Sequence, residues 1–122
     1  MPAIRQNLIT RQWVIIAPER GQRPDQFKHE KKSRELPAHD PECPFCPGNE
    51  NQTPPEIYRH PQDGDWQIRV VPNKYSALES EGVVTRTTQG VKRTISGVGL
   101  HEIIVESATH NQTMGFLSNQ EM

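Results

Sequence analysis

Cys43-Pro-Phe-Cys46 sets two thiols at C-x2-C spacing, followed at once by Pro47-Gly48-Asn49. Two sulfurs so spaced on a tight turn can face one tetrahedral metal ion, as in a zinc knuckle. They are the only cysteines of the chain, so a four-thiolate site cannot form within it and histidines would have to complete a metal set. Two buried free thiols, a redox pair or a disulfide would use the same spacing. A redox pair normally opens a helix, and Pro47-Gly48-Asn49 is a poor helix start. Five histidines are candidate partners: His29, His39, His60, His101 and His110. His29, His39 and His60 lie in polar segments, where a solvated ring is the ordinary outcome. His101 belongs to a strand-like run, where a packed or hydrogen-bonded ring is expected. His110 lies 64 positions beyond Cys46, and a ligand there would tie the knuckle to the far end of a sheet, so that metal binding becomes folding energy. Spacing alone does not choose among the five. Arg20 and Arg23, three apart beside Pro24, could grip a phosphate with paired guanidiniums or simply be solvated. Asn73-Lys74 offers an amide and an ammonium just past a strand, and a turn-forming Asn is the plainer reading.

These residues must be positioned by a chain with little apolar material. Of 122 residues 32% are hydrophobic, and 11 prolines with 8 glycines demand many turns. That composition suits one small, loop-rich domain that needs a staple, or part of something larger. The net charge of -1 gives no overall attraction for nucleic acid, and no apolar run approaches the ~20 residues that span a bilayer. No secretory core precedes the polar residues Arg5, Gln6 and Asn7, so a soluble cytoplasmic protein is expected.

The β-branched run Gln12 to Ala17, closed by Pro18, predicts a strand buried on both faces or nearly so. Residues 19–42 read as a polar surface excursion. Trp66 to Val71 alternates, with Trp66, Ile68 and Val70 on one face and Gln67 and Arg69 on the other. Residues 79–90 read as a loop. Val91 to Ile95 and Leu100 to Glu106 read as strands whose Gly-containing linker, Ser96 to Gly99, fits a hairpin. Ser118-Asn119-Gln120-Glu121 is a capping-box pattern with Leu117 before it, so a helix is expected to start here. A helix of a few residues cannot nucleate, which predicts a chain truncated before that helix.

Four stretches together resemble the N-terminal part of the galactose-1-phosphate uridylyltransferase family, a branch of the histidine-triad (HIT) superfamily. They are Arg5 to Pro24 (RQNLITRQWVIIAPERGQRP), Cys43 to Ile57 (CPFCPGNENQTPPEI), Trp66 to Leu78 (WQIRVVPNKYSAL) and Gly97 to His110 (GVGLHEIIVESATH). The stretch from Arg93 to His110 also resembles the ADP-glucose phosphorylase-like nucleotidyltransferases. The resemblance implies an α+β, HIT-like fold, mainly antiparallel sheet over residues 1–122, incomplete at its C-terminus. It implies structural zinc on Cys43, Cys46 and His110, with a fourth ligand beyond Met122. It places Arg20 and Arg23 near the nucleotide phosphates, and Asn73 and Lys74 along the base and ribose. The implied activity is uridylyl transfer between UDP-glucose and a hexose 1-phosphate in galactose metabolism, by a homodimer, through a uridylyl-histidine. The attacking histidine belongs to a His-x-His-x-Gln motif, and no His-x-His occurs in these 122 residues, so this chain alone is expected to be inactive. Adenylyl transfer from ADP-glucose is the alternative of the same class; a non-catalytic zinc-knuckle module is the alternative of another class.

Overall fold

A computed structural model of the protein describes residues 1–22 and 35–122. The described residues fall into two compact units, residues 1–22 with 75–101 and residues 35–74 with 102–122. Each unit is built on its own antiparallel sheet. Antiparallel strands thus dominate, as expected. Among the described residues helix is limited to short 3-10 turns at Pro18–Gln22, Glu50–Gln52 and Met114–Phe116.

The first sheet comprises β1 (Ala3–Gln6), β2 (Trp13–Ile16), β5 (Arg86–Gln89) and β6 (Lys92–Ser96), in the order β2-β1-β6-β5. Asn7 turns the chain between β1 and β2: its Oδ1 accepts the N–H groups of Ile9 and Thr10, and its carbonyl accepts that of Arg11. Ile4 of β1 pairs with Ile15 of β2 and with Ile95 of β6, giving an isoleucine row on one face. The strand expected from Gln12 to Ala17 forms as β2, but all four of its residues are exposed, against the expected burial. Its β-branched composition satisfies strand geometry at an edge position, where packing is on one side only.

Part of the expected loop 79–90 is strand β5, which pairs with β6 across the two-residue turn Gly90-Val91. Gly90 has φ +59° as the first turn residue, the backbone that a type II′ hairpin needs there. The expected hairpin around Ser96 to Gly99 does not form, because β6 and the next strand, β7 (Glu102–Val105), belong to different sheets. The glycines there serve close backbone approach instead: Gly97 N–H donates to the Pro2 carbonyl (3.0 Å) and Gly99 N–H to that of Glu79 (2.8 Å). A Cβ on Gly97 would lie 2.7 Å from the Pro2 backbone.

The second sheet comprises β3 (Tyr58–His60), β4 (Ile68–Pro72) and β7 (Glu102–Val105), in the order β3-β4-β7. Arg59 pairs with Arg69, and Arg69 with Val105, while Val71 pairs with Ile103, so these side chains share one face. That face is the core: Val71 is fully buried and Arg69 is 3% exposed. The alternation of the Trp66 run is real. Its apparently polar face, carrying Arg69, nevertheless holds the most buried strand residues, and Trp66, just before β4, is also buried. At the C-terminal end Ser118 N–H and hydroxyl both donate to Glu121 Oε2, at 2.8 and 2.7 Å. Of the reciprocal capping pair expected there, only the contact of Glu121 with the Ser118 N–H forms; the Glu121 N–H goes to the Ser118 carbonyl (3.0 Å), closing a turn and not an α-helix.

Candidate metal centre

The knuckle is a run of overlapping turns. Cys43 N–H donates to the Asp40 carbonyl, Cys46 N–H to that of Cys43, and Asn49 N–H to that of Cys46. Asn49 closes the loop from inside, its Nδ2 donating to the carbonyls of Cys43 (2.7 Å) and Pro41 (3.0 Å). Gly48, at φ +93°, supplies the left-handed backbone at which the loop leaves the second cysteine. The result is two thiols on one side of a compact turn.

His110 meets them from the segment that follows β7. Its backbone N–H donates to the Ala38 carbonyl at 2.8 Å, which docks the histidine beside the turn. Its Nδ1 lies 3.3 Å from Cys46 Sγ, and ligand atoms of Cys43, Cys46 and His110 all lie within 4.8 Å of one another. Cys46 is 3% exposed, and Cys43 and His110 are half-buried. Zn–S and Zn–N bonds of about 2.3 and 2.0 Å at a tetrahedral angle put N and S about 3.5 Å apart. The donor set, two thiols and an imidazole, therefore fits a zinc-type ion in chemistry and spacing. Burial pushes the Cys46 thiol up; the Asp40 N–H donating to its sulfur (3.4 Å) works against this, and the neighbouring Cys43 thiol adds to the rise. An open hollow of about 410 Å³ adjoins the cluster, bounded by Phe45, Ile104, Glu106 and Gln112.

The other histidines go elsewhere. His39 Nε2 contacts the Pro47 carbonyl (2.9 Å), His60 is exposed on β3, and His29 lies outside the described residues. His101 sits one residue before β7, and its Nδ1 accepts the Ala77 N–H at 2.9 Å, a hydrogen-bonded ring as expected. Arg20 lies in the Pro18–Gln22 turn of the first unit, half-buried, with its N–H on the Ala17 carbonyl. Arg23 lies outside the described residues. Asn73 and Lys74 follow β4 in the second unit, where the strand was expected to end.

The sequence reading did not single out a second polar cluster in the same unit. Glu56 accepts Arg59 Nε (2.6 Å) and Nη2 (3.0 Å) and also Arg69 Nε (2.6 Å). Those bonds, led by the one from Arg59, hold the Glu56 carboxyl below the usual carboxylate range. Trp66 Nε1–H donates to Glu50 Oε1 at 2.8 Å and lowers that carboxyl in the same way. A signal existed in the sequence, an arginine on an otherwise apolar strand, since a buried guanidinium requires an anion beside it.

A thiol knuckle met by a histidine from the segment after an antiparallel strand defines a small β domain with a cluster that could hold a metal ion. Over residues 1–122 the sequence matches the family described as galactose-1-phosphate uridyl transferase, N-terminal domain. The chain belongs to that family. ADP-glucose phosphorylase of Arabidopsis thaliana is 42% identical over 115 residues, covering 90% of this chain and 32% of that protein. Galactose-1-phosphate uridylyltransferase of Haemophilus influenzae is 31% identical over 126 residues, covering 99% and 34%. The crystal structure of an ADP-glucose phosphorylase from Arabidopsis thaliana with bound ADP-glucose aligns at a TM-score of 0.46 and 30% identity, over 96% of this chain and 32% of that one. The chain thus spans about a third of the length of the relatives it matches. Among the described residues no helix is long and apolar enough to cross a membrane.

Proposed function

We propose that residues 1–122 are the N-terminal part of a HIT-like hexose-1-phosphate nucleotidyltransferase domain, and that Cys43, Cys46 and His110 hold a structural zinc. What supports the metal is the convergence of two thiols and a distant imidazole within 4.8 Å; what supports the chemistry is family membership over the whole chain. Zinc here supplies no chemistry to the substrate. It ties the turn to the end of β7, and the protein's own residues do the binding. Arg20 and Arg23 would neutralise nucleotide phosphates, and Asn73 and Lys74 would line the base and ribose. In the reaction a histidine nitrogen attacks the α-phosphorus of UDP-glucose, and the bond to the departing glucose 1-phosphate breaks. A phosphate oxygen of galactose 1-phosphate then attacks the uridylyl-histidine, giving UDP-galactose and freeing the imidazole. That histidine, in His-x-His-x-Gln, is supplied by sequence other than these 122 residues, and the working enzyme is a cytoplasmic homodimer.

Adenylyl transfer is a second reading, favoured by the 42% identity to an ADP-glucose phosphorylase against 31% to the uridylyltransferase of Haemophilus influenzae. The acceptor would then be orthophosphate. Incubating the enzyme with UDP-glucose plus galactose 1-phosphate, and with ADP-glucose plus phosphate, separates the two. The uridylyl reading expects turnover with the first pair; turnover with the second pair alone replaces it with the adenylyl reading.

A further inference from the structure

Asp40 touches the metal cluster in two ways that its place in a polar stretch does not announce. Its backbone N–H donates to Cys46 Sγ at 3.4 Å. Its backbone carbonyl accepts Cys43 N–H (3.2 Å) and Asn49 Nδ2 (3.4 Å), so the residue is fixed inside the knuckle. The carboxylate is divided. Oδ1 accepts the Glu42 N–H at 2.8 Å, while Oδ2 faces His110 Nε2 at 4.0 Å. His110 is thus held with Nδ1 toward the sulfur and Nε2 toward a carboxylate. An imidazole that ligates through one nitrogen carries its proton on the other, and that N–H takes an acceptor that fixes both ring orientation and tautomer. At 4.0 Å the acceptor is reached through a bridging water or a small closure of the side chains.

We propose that Asp40 is a positioning residue of the metal centre, whose carboxylate orients His110 so that Nδ1 is the metal donor and Nε2–H points outward. This rests on the reading of Cys43, Cys46 and His110 as a zinc site and adds to it the nitrogen used and the residue that selects it.

The test measures zinc affinity by chelator competition, together with long-range 1H–15N spectra of the zinc-loaded protein. The spectra should show His110 metallated at Nδ1 and protonated at Nε2. Asp40→Ala should weaken zinc binding by about 10–100-fold, the usual effect of losing an outer partner of a ligand. Asp40→Asn separates positioning from mere turn formation. It keeps an oxygen for the Glu42 N–H but turns an amide NH2 toward Nε2–H, so it should bind as weakly as the alanine variant. Full recovery of affinity in Asp40→Asn, affinity within twofold in Asp40→Ala, or metallation at Nε2 overturns the proposal. Cys43→Ser is the control for the underlying reading. If it retains zinc as tightly as the unaltered protein, the metal centre itself is misassigned, and the Asp40 role falls with it.

Discussion

The two sheets solve the shortage of apolar residues differently. The first spends its β-branched residues on an edge strand, leaving Trp13, Val14, Ile15 and Ile16 each between 38% and 49% exposed. It is held by ladder hydrogen bonds, a row of isoleucines and the close approach of Gly97 to Pro2. The second has fewer strands, yet the unit built on it holds Cys46, Trp66, Arg69 and Val71, all nearly or fully buried. Three of these four are polar or sulfur-bearing, and each has a named partner: His110 for Cys46, Glu50 for Trp66, Glu56 for Arg69. A core assembled from such groups is specific because each one costs free energy when its partner is missing. The candidate metal centre therefore belongs to the unit in which single deletions are felt most.

The sharpest way to break that contrast is at the cysteines. Apparent structural-zinc affinities of about 10–16 kcal/mol in zinc-finger peptides make this the largest effect on offer. Cys46→Ser should drop zinc content from about one ion per chain to near zero and expose residues 35–74 and 102–122 to protease. Metal analysis alongside limited proteolysis checks both. Unchanged zinc content would show that the buried sulfur is a packing group only.

Next in size is the buried arginine. Arg69→Met leaves Glu56 with Arg59 as its remaining partner and should cost about 3 kcal/mol in urea unfolding at neutral pH, the low end for a broken buried pair because Glu56 is part-exposed. The Glu56 carboxylate, held by Arg59 and Arg69, makes stability pH-dependent. The folded Glu56 carboxyl titrates below its unfolded value of about 4.3, so its contribution is complete above that value and is lost as pH falls through the lower folded one. Glu56→Gln should flatten this acid limb. An unaltered limb would assign the acid sensitivity to other carboxylates.

How much of this was legible beforehand follows the range of the interactions. The knuckle could be read because C-x2-C and Pro-Gly-Asn are local, and β2, β4 and β6 because short β-branched runs are local. His110 came from the resemblance, since nothing in its neighbours distinguishes it from His39 or His60. Strand pairing was misread where it depended on distant partners: Ser96 to Gly99 looks like a hairpin until Pro2 and Glu79 claim its N–H groups. Asp40 and Ala38 were hidden in a stretch read as surface excursion, because their roles exist only once His110 arrives. The burial of Arg69 was not legible, because alternation assigns faces without saying which face is covered.

A smaller effect tests the first sheet where it is tightest. Gly97→Ala would put a methyl carbon 2.7 Å from the Pro2 backbone, which must move along with the N–H···O bond between the two residues. Such overpacking should cost about 2 kcal/mol, read as a lower unfolding midpoint with zinc content unchanged. Zinc loss in this variant would mean that the metal centre depends on the first sheet after all.

The smallest expected effect probes the exposed strand. Val14 is 49% exposed on β2 and faces Arg5 across the ladder. Val14→Thr keeps the β-branch and the shape while exchanging a methyl for a hydroxyl that can reach water, so neither strand preference nor packing is lost. Stability should stay within about 0.5 kcal/mol of the unaltered protein. Light scattering should fall on concentration, because an apolar edge strand templates association and a polar group on it does so less. A loss well above 1 kcal/mol would reveal that β2 packs against a covering element in solution, in which case its four exposed residues are an interface and the first sheet is as dependent on partners as the second.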